Sequence, residues 1–164
     1  MSDVRVERRN APDAVERVLR GLPDWFGIDE AIRGYVGDAA RLPSYLAVRD
    51  GSVAGIALLK RHFPLSAEVH LLAVQQNAHH QGIGSALLSA MEDDLSREGV
   101  QYLLVHTVGP SFDNPPYART RAFYLARGFV ALQELQRIDW DGPTLIMAKA
   151  IPVAIPSGRL AAAR

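Results

Sequence analysis

Residues 79 to 88, His-His-Gln-Gly-Ile-Gly-Ser-Ala-Leu-Leu, join an apolar run from Val69 to Val74 to an amphipathic stretch ending at Gly99. Read in order, that is a strand, a short glycine-containing loop and the first turn of a helix. Such a junction gathers unpaired backbone N–H groups and the positive end of a helix dipole at one point. A pyrophosphate fits there without many basic side chains. The segment therefore points to a layered α/β chain with a phosphate-bearing ligand at a strand–helix junction.

The spacing of the glycines narrows the choice. A Walker loop needs Gly-x4-Gly-Lys-Ser/Thr, and no Lys follows Gly82 or Gly84. A dinucleotide fingerprint would put its third glycine at position 87, which is Leu87. What remains is a strand end, Leu72-Ala73-Val74, followed by His79-x-x-Gly82-x-Gly84. This resembles the acetyl-coenzyme A signature of the GNAT superfamily of N-acetyltransferases. Downstream, Thr120-Arg121-Ala122-Phe123-Tyr124-Leu125-Ala126-Arg127-Gly128-Phe129 is similar to the other GNAT signature, a helix carrying aromatic-Tyr-x-x-x-Gly-Phe. With both segments in order, the resemblance covers roughly residues 4 to 150.

Hydrophobic periodicity supplies the elements. Val4 to Arg8 alternates as a first strand, and Pro12 to Leu22 and Ile28 to Leu42 have helical spacing. Asp50-Gly51 between Ser44–Val48 and Val53–Leu59 is a hairpin signal. Ala67 to Val74 is the next strand. The following helix runs from about Gly82 to Glu98, with Ile83, Leu87, Leu88, Met91 and Leu95 as its apolar stripe and Glu92, Asp93, Asp94, Arg97 and Glu98 mostly outward. Gln101 to Thr107 reads as a central strand and the proline-rich Gly109 to Pro116 as a loop. Ala118 to Arg127 reads as a helix, and Phe129–Trp140 with Thr144–Ile151 as a last hairpin. The order β-α-α-β-β-β-α-β-α-β-β predicts an α/β (α+β) domain over residues 1–151, with helices on both faces of one sheet. The resemblance implies the GNAT fold: a mixed, mostly antiparallel sheet in which the strands before Gly82 and Gly109 run parallel and splay apart. The tail, 152–164, has no clear period and is expected to be loosely held.

Composition removes several classes. Lys+Arg and Asp+Glu both number 18, so no net charge draws the chain to nucleic acid or an anionic membrane surface. No window of about 18 apolar residues is present, so no membrane span is expected. The N-terminus is charged and lacks the apolar region of a secretory signal, so a cytoplasmic location is expected. With no cysteine, a disulfide framework and an acetyl-cysteine intermediate are both excluded. The histidines at 62, 70, 79, 80 and 106 show no metal-ligand spacing, so no metal is expected.

The resemblance implies acetyl-coenzyme A as co-substrate and a primary amine as acceptor, joined by direct attack on the thioester. It implies that the backbone at Leu72, Ala73 and Val74 meets the thioester and pantetheine. The pyrophosphate then meets the amides from His79 through His80, Gln81, Gly82, Ile83, Gly84 and Ser85. His79 stands where the family usually has Arg or Gln, and Tyr117 where a cofactor-contacting Asn is common. Tyr124 is the expected proton donor to the leaving thiolate, a phenol near pKa 10 facing a thiolate of comparable basicity. For the base, Glu68 and His70 lie two residues apart on one strand face, with His106 on the neighbouring strand as a further candidate.

On the acceptor side the first two helices and the Gly109–Pro116 loop bring Trp25, Phe26, Tyr35 and Phe112, and Asp38, Asp113 and Glu68 have the positions to converge. A small-molecule or peptide amine suits this surface, with the chain a monomer or homodimer. Two other readings stay open: a non-catalytic acyl-coenzyme A binding or sensing module, and a protein acetyltransferase acting on lysine or an N-terminus.

Overall fold

Strand β1 (Arg5–Arg8) is followed by helices α1 (Pro12–Arg20) and α2 (Asp29–Ala39), which pack against each other on one side of the sheet. Three strands then meander: β2 (Ser44–Arg49), β3 (Ser52–Phe63) and β4 (Ser66–Val74). Helix α3 (Ile83–Glu98), β5 (Tyr102–Val108), α4 (Pro115–Ala126), β6 (Val130–Gln136) and β7 (Pro143–Ala150) complete the computed structural model, which describes residues 3–154. The seven strands form one sheet in the order β1-β2-β3-β4-β5-β7-β6, with β4–β5 parallel and every other neighbouring pair antiparallel. This is the mixed, mostly antiparallel sheet with helices on both faces that the resemblance implied. Residues 152–154 carry no regular structure, and the rest of the expected tail lies outside the described residues.

Two cores sandwich the sheet. Val15, Val18, Leu19 and Leu22 of the α1 region pack with Ile32, Ile56, Leu58, Leu71 and Ala73. On the opposite face, Ile83, Leu87, Leu88, Met91 and Leu95 of α3 pack with Val69, Leu103, Val105, Phe129 and Met147. The apolar stripes read from helical spacing are the buried faces, because a helix on a sheet must bury one side. At the β2–β3 hairpin, Asp50 and Gly51 both have positive φ (51° and 76°), as a two-residue primed turn requires. Helix α4 begins earlier than the three prolines suggest. Asn114 caps it through Oδ1, which accepts from the Tyr117 N–H, and Pro115 and Pro116 fill first-turn positions that need no N–H donor.

Asp94 departs from the outward-facing pattern of α3. Arg8 of β1 grips it with two hydrogen bonds (2.6 and 2.9 Å), Tyr45 of β2 donates its hydroxyl at 2.9 Å, and Arg97 adds a third donor. These donors, Arg8 foremost, hold its carboxyl at about 2, below the ordinary 3.8. A carboxylate depressed in this way contributes stability that is fully present above its unfolded value and is lost as pH falls through its folded value. The stability gap between wild type and Asp94→Asn, followed by urea unfolding, is therefore expected to be level above about pH 5 and to close as pH drops toward about 2. A gap unchanged across that window would mean that Asp94 acts through shape rather than charge.

Candidate active site

The parallel pair is short. β4 and β5 run in register only from Ser66–Val69 against Tyr102–Val105, yet β4 continues to Val74 and β5 to Val108. Beyond Val69 the β5-facing edge of β4 has no strand partner. The cause lies at His70. Leu58 pairs with Leu71 and Leu59 with Val69, so His70 is an extra residue, a β-bulge. The bulge also shifts the phase of the strand: Ala67 and Val69 face the α3 layer, whereas Leu71 and Ala73 face the α1–α2 layer. Strict alternation along Ala67 to Val74 gives no sign of this.

The loop leaving β4 makes a 3₁₀ turn over Gln76–Ala78 before α3. His79 folds back rather than outward, its Nε2–H donating to the Val74 carbonyl at 2.8 Å while the ring meets Trp25 edge-on at 5.5 Å. His80 and Gly82 have positive φ (60° and 77°), and Gly82 caps α3 from the left-handed region. Since the first bond into the helix is Ala86 N–H to the Gly82 carbonyl, the N–H groups of Ile83, Gly84 and Ser85 are left free of it. The two glycines differ in their surroundings. A side chain at Gly82 would enter open space, whereas a Cβ at Gly84 would lie 3.2 Å from Cζ of Phe123 in α4.

Two arginines reach this loop, and neither is evident from local sequence. Arg127 donates to Ser85 Oγ, at 2.9 Å from Nε, and lies over the Phe123 ring at 5.1 Å. Arg49, at the end of β2, donates to Gln81 Oε1, and Gln81 in turn donates to the Asn77 carbonyl at 2.9 Å. Two guanidinium groups thus flank free helix N–H groups, which is the charge and geometry an anion needs. They supply fixed positive charge beside a histidine whose ring is turned to the Val74 carbonyl.

On the α2 side of the gap lie three imidazole–carboxylate pairs. His62 Nε2 is 2.6 Å from Glu68, His70 Nε2 is 2.8 Å from Asp38, and His106 Nδ1 is 2.9 Å from Asp139. Glu68 is matched in register with Leu104, two residues before His106, so the three residues share one sheet face. Tyr35 sits among them, edge-on to His70 at 5.4 Å and to Phe26 at 6.1 Å. Burial, then the neighbouring Tyr117, Asp139, Glu68 and Asp38, push its phenol up to about 12. Asp139 of the β6–β7 turn, which the sequence does not single out, is one of the groups acting on Tyr35.

Tyr124 is buried in the α3-side core between Phe123 and Phe129, each 5.2 Å away. Its hydroxyl has no hydrogen-bond partner among the described residues. Burial first, and then Tyr35 from across the sheet, raise its phenol well above the ordinary range, so it holds its proton. The Tyr117 hydroxyl donates to the Trp25 carbonyl at 2.7 Å, tying α4 to the α1–α2 connection. Among the described residues, no group of three or more His, Cys, Asp or Glu is placed to hold a metal ion, and no helix is long and apolar enough to cross a membrane.

Comparison with known proteins bears on these features together. No curated protein matches the chain. Solved structures share its fold: a GNAT-family structure from Desulfovibrio desulfuricans is 24% identical, with a TM-score of 0.79 over 91% of this chain and 99% of that one. The ribosomal-protein-S18-alanine N-acetyltransferase of Escherichia coli is 19% identical, with a TM-score of 0.72 over 98% and 100%. A GNAT family acetyltransferase from Elizabethkingia anophelis with acetyl-CoA bound is 16% identical, with a TM-score of 0.66 over 90% and 97%. The family model for the acetyltransferase (GNAT) domain matches residues 41–131, from just before β2 to the start of β6. That stretch holds the bulge, the parted strands, the glycine loop and Tyr124, and with it the chain belongs to the GNAT acetyltransferase family.

Proposed function

We propose that this protein transfers an acetyl group from acetyl-coenzyme A to a primary amine by direct attack. The observation that carries the reading is the unpartnered β4 edge running from the His70 bulge straight into the α3 loop. An extended amide-bearing arm hydrogen-bonds to such an edge as a peptide would. The free N–H groups from Ile83 to Ser85, with Arg127 and Arg49 beside them, suit the pyrophosphate at the end of that arm. Leu72, Ala73 and Val74 then flank the thioester, and Tyr124 faces its sulfur.

Acetyl-coenzyme A supplies an activated acetyl group; the chain supplies alignment and proton management. The acceptor nitrogen forms a bond to the carbonyl carbon while the carbon–sulfur bond breaks. The amine gives up one proton to a base, and the sulfur takes one from Tyr124. Glu68 and His70 are the proposed bases; in support, each is one half of an imidazole–carboxylate pair, which gives the proton a second acceptor behind the first. His106 with Asp139 makes a third pair further along β5. Every heavy-atom bond formed or broken lies between the co-substrates, so no step requires an acyl-enzyme, and the proton taken up by the base balances the one lost by Tyr124 through exchange with solvent.

Incubation with acetyl-coenzyme A and a panel of primary amines tests the reading by free-thiol release. Release that depends on amine is the expected result. Tight acetyl-coenzyme A binding without release for any amine or lysine peptide would instead make this a binding module.

A further inference from the structure

The outermost carbonyl on each side of the β4–β5 gap is already taken by a side chain. In β4, Val74 pairs with Gly55, and the next residue, Gln75, gives its N–H to the Ala54 carbonyl of β3. Backbone groups alternate sides along a strand, so those of Leu72 and Val74 point away from β3 and into the gap. In β5, Val108 pairs with Thr144 and Gly109 gives its N–H to the Pro143 carbonyl of β7, so His106 and Val108 point into the gap from the other side. His79 donates from Nε2 to the Val74 carbonyl at 2.8 Å, and Arg121 donates from Nη1 to the Val108 carbonyl at 2.8 Å. Among the described residues, these are the carbonyls of β4 and β5 that accept from a side chain.

The result is a mouth that offers donors. At Val74 and Val108 the N–H groups stay open to a ligand, whereas both kinds of group stay open further in, at Leu72 and His106. An arm that lies on β4 as an added strand needs acceptors for its own amide N–H groups. With Val74 capped, the Leu72 carbonyl is the acceptor that this edge presents, and the arm has one register. A slip to the next equivalent position moves it by two residues, about 7 Å along the strand. That carries the thioester out of hydrogen-bond reach of Tyr124. The cap is braced from behind: the His79 ring meets Trp25 edge-on at 5.5 Å, and Trp25 Nε1–H donates to Thr120 Oγ1 of α4 at 3.2 Å. Trp25 thus spans from the β4 side of the mouth to the helix that Arg121 ties to β5.

We infer that His79 is a positioning residue: by occupying the Val74 carbonyl it sets the register in which the pantetheine arm lies along β4, and it acts on the arm rather than on the pyrophosphate. The identity of the arm rests on the acetyl-transfer reading. An imidazole donates through Nε2–H both when neutral in that tautomer and when protonated, so the cap needs no charge.

The test follows thiol release from acetyl-coenzyme A and from S-acetylpantetheine, which keeps the arm and lacks the pyrophosphate. His79→Ala frees the Val74 carbonyl for a second, unproductive register held by one more hydrogen bond. With either donor, kcat and KM are therefore expected to fall together by about two- to tenfold. His79→Gln keeps an N–H donor and is expected to retain most of the wild-type kcat, with an unchanged pH profile. A KM that rises for acetyl-coenzyme A alone would overturn the inference and make His79 a phosphate contact. Wild-type constants in His79→Ala would overturn it too, and equal impairment in both variants would assign the effect to packing on Trp25 instead. The wild type decides independently of any variant. When pantetheine is added, NMR is expected to show the Leu72 and Val74 amides shifting while the His79 ring N–H keeps its hydrogen bond. Loss of that bond, or no shift at either amide, would overturn the inference. The expected shifts in a protein that releases no thiol with any amine would overturn acetyl transfer and leave the cap standing.

Discussion

Tyr124→Phe is expected to lower kcat roughly 10²–10⁴-fold while leaving acetyl-coenzyme A affinity and folding stability nearly unchanged. The reason is that the ring and the hydroxyl do different jobs. The ring fills the core between Phe123 and Phe129, and phenylalanine keeps that packing. The hydroxyl makes no hydrogen bond among the described residues, so its loss orphans no partner and costs the folded state little. Its value lies in the proton. Burial raises the phenol, which makes it a weaker acid in isolation, but a thiolate expelled into the same dry site is raised by the same desolvation. Donor and acceptor therefore stay matched, and the phenol is fully protonated before each turnover. A kcat within twofold of wild type in a folded variant would assign sulfur protonation to water.

The parts legible in the sequence are those whose determinants are contiguous. Helix stripes, the Asp50-Gly51 hairpin and the glycine loop each declare themselves within a dozen residues, because periodicity and turn chemistry are local. The parallel pair came from family likeness, since hydrophobic pattern alone carries no strand order. The His70 bulge was hidden, because an inserted residue in an alternating run looks like more alternation until the partner strand fixes the register. Arg49 and Arg127 were hidden for another reason. Each lies far along the chain from the loop it reaches, and a lone surface arginine has no local signature. The same holds for the Asp38–His70 and His106–Asp139 pairs, which join residues 32 and 33 positions apart. Asp139 has no local signature either, because the β6–β7 turn is where the sequence pattern dissolves into bends. The proline-rich segment misled in the opposite direction: prolines that end a helix also begin one when a cap precedes them.

The glycine loop offers the second large effect, and its two glycines should fail differently. Gly82→Val puts a branched side chain on a residue at φ 77°, at a strain of about 1–2 kcal/mol, and projects it into the open space before the Ile83–Ser85 amides. If those amides hold the pyrophosphate, displacing two charge-assisted hydrogen bonds at about 1.5–3 kcal/mol each weakens acetyl-coenzyme A binding by on the order of 10²–10⁴. The fold should survive, since nothing lies within 4 Å of the new Cβ. Gly84→Val strikes the interior instead. Its Cβ would press on the Phe123 ring, which leans on Tyr124 and carries Arg127 above it, so one substitution disturbs core, the proposed proton donor and loop cation together. Overpacking of that kind costs about 1–3 kcal/mol of stability. Trimming the ring separates the two lesions: Gly84→Val with Phe123→Leu should recover stability toward that of Phe123→Leu alone, whereas no change at position 123 should rescue binding in Gly82→Val. Calorimetry with acetyl-coenzyme A and urea unfolding of the two glycine variants, Phe123→Leu and the two double variants check both halves. Wild-type affinity in a folded Gly82→Val protein would remove the pyrophosphate from this loop.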